Sequence, residues 1–146
     1  MKFLILNGPN MNFLGIREPE IYGRETYEDL CRMIQKRCDE LGIEAEFYQS
    51  NHEGALVDKI QEAYRRVDGI VFNPAAYTHT SVALHDALKA VGIPTVEVHV
   101  SDVDARETFR HTSLTAPACI HSIRGHGLKG YVEAVEYLEK YLEKQP

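Results

Sequence analysis

Residues 94–110, PTVEVHVSDVDARETFR, decide the fold, because a run of β-branched residues there ends in polar ones. Thr95 to Val100 has the apolar density of a strand that is buried on both faces of a parallel sheet. Glu97 and His99 lie near the end of this predicted strand. Open parallel sheets bind ligands outside the carboxyl ends of their strands, so His99 is predicted to face a ligand with Glu97 beside it.

Arg106 and Arg110 follow the same strand and are four residues apart. On a short helix this spacing places both guanidinium groups on one face, close enough to share one anion. Each of these residues also has a structural interpretation: Glu97 as one half of a buried pair, His99 as a satisfied core histidine, and the arginines as a solvated face. Their clustering after a strand end favours a functional site.

The composition is that of one globular domain with a sizeable core, since 44% of the 146 residues are hydrophobic and 26% are charged. A formal net charge of -6 argues against a nucleic-acid surface but permits a local arginine cluster for a small anion. Phe3–Leu6 is too short for a signal peptide and no stretch approaches a membrane span, so we expect a cytoplasmic protein with no membrane partner. Cys31, Cys38 and Cys119 form no CxxC motif, and we expect reduced, buried thiols.

Apolar periodicity predicts strands and helices that alternate along the whole chain. The predicted strands cover residues 2–6, 43–48, 70–72, 95–100 and 119–123, and the predicted helices cover about 26–42, 56–67, 80–92 and 128–142. This order predicts an α/β fold: a flavodoxin-like, doubly wound, five-stranded parallel sheet in a single domain, residues 1–146.

The connection after the first strand is much longer than the usual one of about two to six residues. It runs from Asn7 to Gly23 and includes asparagines, an arginine and a tyrosine. A packed surface loop would account for its glycines and prolines but not for these polar side chains. We therefore predict a ligand-binding lid loop at about residues 11–24.

Three further motifs resemble known sites only in part. His52-Glu53 lacks the second histidine of a zinc-protease helix. Ser81, His85 and Asp86 are residue types of a serine triad, but they are helix neighbours without a nucleophile elbow. Gly125–Gly130 matches GxGxxG, yet the acidic residue of a dinucleotide site would fall inside the last helix, so close helix-to-sheet packing explains the glycines better.

Six separated motifs occur in one order along nearly the whole chain. They are Asn7-Gly-Pro-Asn10, Arg17-Glu-Pro with Tyr22-Gly23, residues 73–81 (NPAAYTHTS), His85-Asp86, residues 97–101 (EVHVS) and residues 105–110 (ARETFR). Together they resemble the type II 3-dehydroquinate dehydratase family. The resemblance implies cofactor-free, metal-free dehydration of 3-dehydroquinate to 3-dehydroshikimate in the shikimate or quinate pathway. It also implies a flavodoxin-like fold assembled as trimers into a homododecamer.

The resemblance also implies catalytic roles for five residues. Tyr22 matches the general base and His99 the acid, while Glu97 matches the carboxylate that orients the histidine. Arg17 matches a lid arginine that stabilises the transition state, and Asn10 matches an amide that holds the enolate through a water. Removing a proton beside a ketone requires such a base and such donors at the developing oxyanion.

Substrate-binding roles are implied for further positions. These are Asn73, Val100 and Ser101 around the substrate carboxylate and departing hydroxyl, His79 and Arg110 at the ring hydroxyls, Arg106 as a supporting residue, and Asp86, which reaches a neighbouring subunit's site. Positions that depart from the family pattern are Asp102, Asp104, His121 and Ser122. We expect the negative charge of Asp102 to weaken anion binding.

A tyrosine base raises a difficulty, since an ordinary tyrosine pKa of about 10 leaves the phenol protonated at pH 7. The pKa of the base must therefore be lowered, and the candidate causes are the arginines at positions 17, 106 and 110. The alternative function is a small-anion binding or regulatory module on the same scaffold. The sequence keeps the matched acid, base and lid, which argues against such a module. Turnover of 3-dehydroquinate would decide between the enzyme and the module.

Overall fold

A computed structural model of the chain describes residues 1–16 and 18–146, apart from the side chain of Tyr22. One parallel sheet contains β1 (Lys2–Asn7), β2 (Glu44–Gln49), β3 (Gly69–Asn73), β4 (Thr95–His99) and β5 (His121–Arg124), in the order β2-β1-β3-β4-β5. The helices are α1 (Pro19–Tyr22), α2 (Tyr27–Leu41), α3 (Glu53–Glu62), α4 (Val82–Val91) and α5 (Lys129–Glu143). The predicted flavodoxin-like, doubly wound α/β domain is confirmed.

Strand β1, which pairs with β2 on one side and β3 on the other, separates two layers of the core, because successive side chains of a strand point to opposite faces. Phe3 and Ile5 pack in the cluster that contains the buried residues of α2 and α5. Leu4 and Leu6 pack with those of α3 and α4 on the other face. The strand order changes direction beside β1, where parallel α/β sheets open a crevice at the carboxyl ends of the strands.

The first long helix, α2, begins and ends where the sequence predicts. Thr26 Oγ1 accepts from the Asp29 N–H at 3.1 Å, and Asp29 Oδ2 accepts from the Thr26 N–H at 2.9 Å. This reciprocal pair satisfies two N–H groups that the first helical turn leaves free. Gly42 ends the helix in the left-handed region, with φ of 70°.

Other boundaries differ from the predictions. β5 starts at His121 instead of Cys119, because Ala116–Ala118 forms a 3₁₀ turn that includes a proline. α3 starts at Glu53 and ends at Glu62, so it overlaps the predicted range of 56–67 but begins and ends a few residues earlier. β1 continues through Asn7, which apolar periodicity assigns to a loop because the amide is polar. Asn7 is completely buried, and its amide oxygen accepts an internal hydrogen bond.

All three cysteines are free. The expectation of buried thiols holds fully for Cys38, whereas Cys31 and Cys119 are partly exposed. Burial raises the pKa of Cys38 to about 11 and that of Cys119 to about 12, so both thiols stay protonated at neutral pH.

None of the helices in the described parts of the chain is both long enough and apolar enough to cross a bilayer.

Candidate active site

A cavity opens at the carboxyl ends of β1, β3 and β4, where the sequence places the site. Its described lining comes from the loop after β1 (Pro9, Asn10, Met11), from the end of β3 and the turn after it (Asn73, Ala75, Ala76, His79), and from β4 and the segment after it (His99, Val100, Ser101, Val103, Arg106, Arg110). Apart from Glu97, Asp86, Arg17 and Tyr22, every residue predicted for the site lies in this lining. Arg17 and the Tyr22 side chain fall outside the described residues.

His99 and Glu97 form a buried pair at the cavity wall. The last residue of β4, His99, is 5% exposed, and Glu97 is completely buried behind it. His99 Nε2 lies 3.2 Å from Glu97 Oε2, within ion-pair distance, although the ring is not aligned for a hydrogen bond to this oxygen. The two side chains therefore lie side by side at the end of β4.

The Glu97 carboxylate is surrounded by hydroxyl groups. It accepts hydrogen bonds from the side chains of Thr78, Ser113, Thr115 and Ser122. Burial raises the pKa of Glu97, but His99 and the hydroxyls of Thr115 and Ser113 outweigh burial and lower the pKa overall. Arg124 Nη2 lies 3.9 Å from Glu97 Oε2 and adds a positive charge. Glu97 is therefore held as the ionised partner of the histidine.

No pattern in the sequence singles out these hydroxyl donors. They come from the turn after β3, from the loop before β5 and from β5 itself, so they share no spacing in the chain. Serine and threonine are also common in any loop. Only the convergence of three segments on one carboxylate distinguishes Ser113 and Thr115 from ordinary loop residues.

His79 faces the cavity as a neutral side chain. Burial lowers its pKa, and the positive charges of His99 and Arg110 lower it further, against the opposing effect of the Thr112 carbonyl. His79 Nδ1 lies 2.7 Å from the Thr112 carbonyl oxygen and donates to it. In the neutral ring this leaves Nε2 as a hydrogen-bond acceptor, which suits a ligand hydroxyl group.

The prediction that Arg106 and Arg110 share one short helix is wrong. Two separate 3₁₀ turns, Val103–Ala105 and Thr108–Arg110, replace it. Arg106 lies between them in extended conformation, with φ of -107° and ψ of -164°, which interrupts any continuous helix. Both arginines nevertheless line the same cavity, so the predicted clustering of positive charge holds by a different backbone path.

Each arginine also has an acidic neighbour. Arg106 Nη1 donates to Ser101 Oγ at 3.3 Å, and Arg106 Nη2 lies 3.8 Å from Oε2 of Glu18 in the loop before α1. Arg110 Nε pairs with Glu107. These contacts fix both arginines beside the cavity that they line.

Asn10 reaches the cavity because of a strained backbone. Its φ is 71°, in the left-handed region that asparagine tolerates better than most residues. The Asn10 N–H donates to Asn51 Oδ1 at 3.0 Å, and Gln49 Nε2 donates to the same oxygen at 3.2 Å and to the Gly8 carbonyl at 3.1 Å. Gln49 and Asn51 thus hold the loop after β1, and no sequence motif singled them out.

Comparison with known proteins gives the family. A family description, Dehydroquinase class II, matches residues 1–139. The chain belongs to this family of hydro-lyases. Relatives named 3-dehydroquinate dehydratase come from Clostridium acetobutylicum (56% identity over 144 residues, 99% of this chain and 100% of the relative) and Lachnospira eligens (60% over 138 residues, 93% and 94%). The crystal structure of a type II dehydroquinase from Butyrivibrio crossotus has 58% identity and a TM-score of 0.94, covering 95% of this chain and 97% of that one.

Asp86, which the family resemblance matches, is not brought to the cavity by its own chain. It is exposed on α4 and is absent from the described lining. The serine-triad interpretation fails on the same helix, because Ser81 Oγ caps α4 by accepting from the Leu84 N–H at 2.9 Å. His85 Nδ1 contacts the Leu114 carbonyl oxygen at 2.8 Å, which anchors the loop that carries the hydroxyls around Glu97.

Two acidic departures from the dehydroquinase pattern have local partners. Asp102 Oδ1 accepts from the Asp104 N–H at 3.2 Å, so the carboxylate caps its own 3₁₀ turn and is not part of the described lining. Asp104 Oδ1 lies 3.9 Å from Arg124 Nη1. The expected weakening of anion binding by Asp102 stays a prediction.

The glycines of the GxGxxG motif, Gly125–Gly130, have two structural causes. A Cβ atom at Gly130 would lie 3.3 Å from Ile123 Cγ2 and 3.4 Å from Val98 Cγ1, which confirms the predicted close packing of α5 on the sheet. Gly125 and Gly127 instead have positive φ values of 77° and 64° and form the turn before α5.

Within the described residues, no group of three or more His, Cys, Asp or Glu side chains is arranged to hold a metal ion.

Proposed function

We propose that this chain eliminates water from 3-dehydroquinate to form 3-dehydroshikimate, as its relatives' names indicate, in the shikimate pathway or in quinate breakdown. The observation that carries the proposal is the His99–Glu97 pair at the wall of a cavity that two arginines also line. An acid of this kind beside an anion-binding surface suits the loss of hydroxide from an anionic ring. Family membership supplies the substrate class.

The first proposed step forms an enolate. Tyr22 takes a proton from the carbon beside the ketone, and the electron pair of the broken C–H bond moves to the carbonyl oxygen. Arg17 stabilises the negative charge on that oxygen, and Asn10 stabilises it through a water molecule. The position of Asn10 in the described cavity lining supports this assignment.

The second proposed step expels water. The enolate electrons form the new carbon–carbon double bond, the bond to the departing hydroxyl breaks, and His99 gives that oxygen a proton. Glu97 stabilises the protonated imidazole before the transfer, since it lies 3.2 Å from His99 Nε2. The base has then gained the proton taken from carbon, and the acid has given its own proton to the departing water. Exchange of protons with solvent restores both groups.

We propose that the remaining cavity residues hold the substrate. Asn73 and the backbone of Val100 and Ser101 surround the carboxylate and the departing hydroxyl. Neutral His79 accepts a hydrogen bond from a ring hydroxyl through Nε2, and Arg110 binds another ring hydroxyl. Arg106 supports this arrangement, and its hydrogen bond to Ser101 Oγ supports that role.

The lid and the assembly are further parts of the proposal. Residues 11–24 act as a lid of the single catalytic domain, and the contact of Glu18 with Arg106 supports a position of the lid over the cavity. The chain assembles as a homododecamer built from trimers. The exposure of Asp86 away from its own cavity supports a contribution of this side chain to a neighbouring subunit's site.

Turnover of 3-dehydroquinate, followed as growth of the ultraviolet absorbance of the conjugated enone product, tests the proposed function. We expect turnover without added metal or cofactor. A chelator should leave the rate unchanged, and borohydride with substrate should not inactivate the enzyme, because the described cavity lining includes no lysine that could form an imine. Absence of turnover at high enzyme concentration would refute the proposal and favour an anion-binding module.

A further inference from the structure

Tyr131, in the first turn of α5, places a polar group inside the protein directly behind Asn73. The side chain is completely buried, and burial raises the pKa of its hydroxyl, which therefore stays protonated. The hydroxyl accepts from Asn73 Nδ2 at 2.9 Å and donates to Asn7 Oδ1 at 2.5 Å. Tyr131 is thus linked to the ends of the two neighbouring strands β1 and β3.

A backbone group decides the direction of this network. The Ala75 N–H donates to Asn73 Oδ1 at 2.9 Å, so the amide oxygen of Asn73 faces the backbone of the following turn. The amide nitrogen must then face Tyr131, whose oxygen acts as the acceptor. The hydroxyl proton is therefore directed to Asn7 Oδ1. This orientation pairs both amide oxygens and the Tyr131 hydroxyl, and leaves the buried Asn7 Nδ2 without a hydrogen-bond partner among the described residues.

The second N–H of the Asn73 amide has a poor partner. Asn73 Nδ2 lies 3.5 Å from the sulfur of Met11, and both residues line the cavity. A thioether is a weak acceptor, so an oxygen atom of a bound ligand would be a stronger partner for this donor. The network thus turns the N–H edge of Asn73, and not its oxygen, towards an incoming ligand.

We propose that Tyr131 is a positioning residue of the active site, whose hydroxyl fixes the Asn73 amide so that it donates to a carboxylate or hydroxyl oxygen of the substrate. This inference rests on the proposed function. The strand ends strengthen it, because Asn7 and Asn73 are register partners and the Gly8 N–H donates to the Asn73 carbonyl oxygen at 2.8 Å. The sheet fixes the backbone of Asn73, so the orientation of its amide depends on the Ala75 N–H at the oxygen and on Tyr131 at the nitrogen.

Tyr131→Phe keeps the ring and removes the hydroxyl, so it tests the proposal with little change in packing. We expect KM for 3-dehydroquinate to rise about tenfold, because a hydrogen bond to a charged or polar ligand group is lost, and kcat to change less than about threefold. Tyr137→Phe makes the same exchange on the same helix, where the side chain stacks on His121, and should leave both constants unchanged.

A second pair of variants separates positioning from a general loss of stability. In an Asn73→Ala background, Tyr131→Phe should raise KM no further, although it should still lower the urea midpoint of unfolding. An equal rise of KM in both backgrounds would overturn the proposal, as would an unchanged KM in the single variant. If Tyr131→Phe does not fold, Asn7→Ala is tested in its place, because it removes the acceptor of the same hydroxyl. The same rise of KM is expected for Asn7→Ala, and an unchanged KM in that variant would also overturn the proposal.

The wild-type protein, assayed in parallel, keeps the two proposals distinguishable. Absence of wild-type turnover would refute the proposed function. Normal wild-type turnover combined with an unchanged KM in Tyr131→Phe would refute only the role of Tyr131.

Discussion

Glu97 is a fully buried carboxylate, and such a group stays ionised only where other donors replace the water it has lost. Here the replacement consists of hydroxyl groups and a histidine, which together lower the pKa of Glu97 in spite of its burial. Because this pKa is lower in the folded protein than in the unfolded chain, the ionised carboxylate stabilises the fold above the unfolded-state pKa. That stabilisation is lost as the pH falls through the folded-state pKa.

Removing one hydroxyl donor should weaken this effect. In Thr115→Val the pKa of Glu97 should rise, the acid limb of the kcat/KM profile should move to higher pH, and the free energy of unfolding at pH 7 should fall by about 1.5–3 kcal/mol. The kcat/KM profile across pH would check the shift of the acid limb, and urea unfolding across pH would check the loss of stability. Thr95→Val is a matched control on β4, since the Thr95 hydroxyl donates only to the Ile93 carbonyl among the contacts described. A pH profile that moves equally in both variants would contradict the role of Thr115.

Tyr22 carries the sharpest expectation about the chemistry. Tyr22→Phe should lower kcat by at least about 10²-fold, because proton transfer by a positioned base contributes on the order of 10²–10⁴. Substrate binding, measured by calorimetry, should persist. Near wild-type turnover in this variant would show that another group is the base, and the proposed role of the lid would then be wrong as well.

The elements that build the site meet at one crowded point, where the ends of β1 and β3 approach each other. A Cβ atom at Gly8 would lie 2.5 Å from the Pro74 carbonyl oxygen and 3.2 Å from that of Asn73. Both neighbours are backbone atoms, so they cannot rotate away. This close approach lets the loop after β1 bring Asn10 to the cavity that Asn73 also lines.

Gly8→Ala should therefore separate the two strand ends. We expect it to lower the free energy of unfolding by about 1–3 kcal/mol, as overpacking does, and to reduce turnover. Gly54→Ala provides the contrast, because a Cβ atom at that exposed position of α3 would meet no atom within 4 Å. That variant should stabilise the protein by up to about 1 kcal/mol. Equal urea midpoints for the two variants would contradict the steric argument.

At the scale of the whole molecule, α4 presents side chains that its own chain leaves uncovered. Val82 is 59% exposed at the start of the helix, and Asp86 is exposed one turn later. An apolar residue beside a family-matched acid suits a subunit contact, because exposed apolar surface favours association. The proposed oligomer would complete each site with a residue from another subunit.

Asp86→Ala should weaken substrate binding if the oligomer forms. We expect KM to rise about tenfold, as for the loss of a charged hydrogen bond, and Lys89→Ala on the same exposed helix to leave KM unchanged. Light scattering and the enone assay on the same samples would check the assembly. A monomer that is fully active at low concentration would rule out this role for Asp86.

The sequence by itself determined the order of the strands and long helices, the edge of the sheet at which the cavity opens and most of the predicted residues that line it. Local chemistry explains this success: the capping pair at Thr26 and Asp29, the apolar run of β4 and the polar residues at its end are all encoded within a few positions. The end of β1 differs from the prediction because its last residue is polar and finds its hydrogen-bond partner far along the chain. Asn7 remains in a strand because Tyr131, far along the chain, donates to its amide.

Tertiary structure alone decided what surrounds the predicted side chains. Residues that are far apart in sequence meet in three places: in the hydroxyls around Glu97, in the loop contacts of Asn51 and in the network of Tyr131. Arg106 and Arg110 reach one cavity through two short turns and not through a helix. The physical reason is that a buried polar group requires partners, and which partners it finds depends on how the strands and loops pack in space, not on their spacing along the chain.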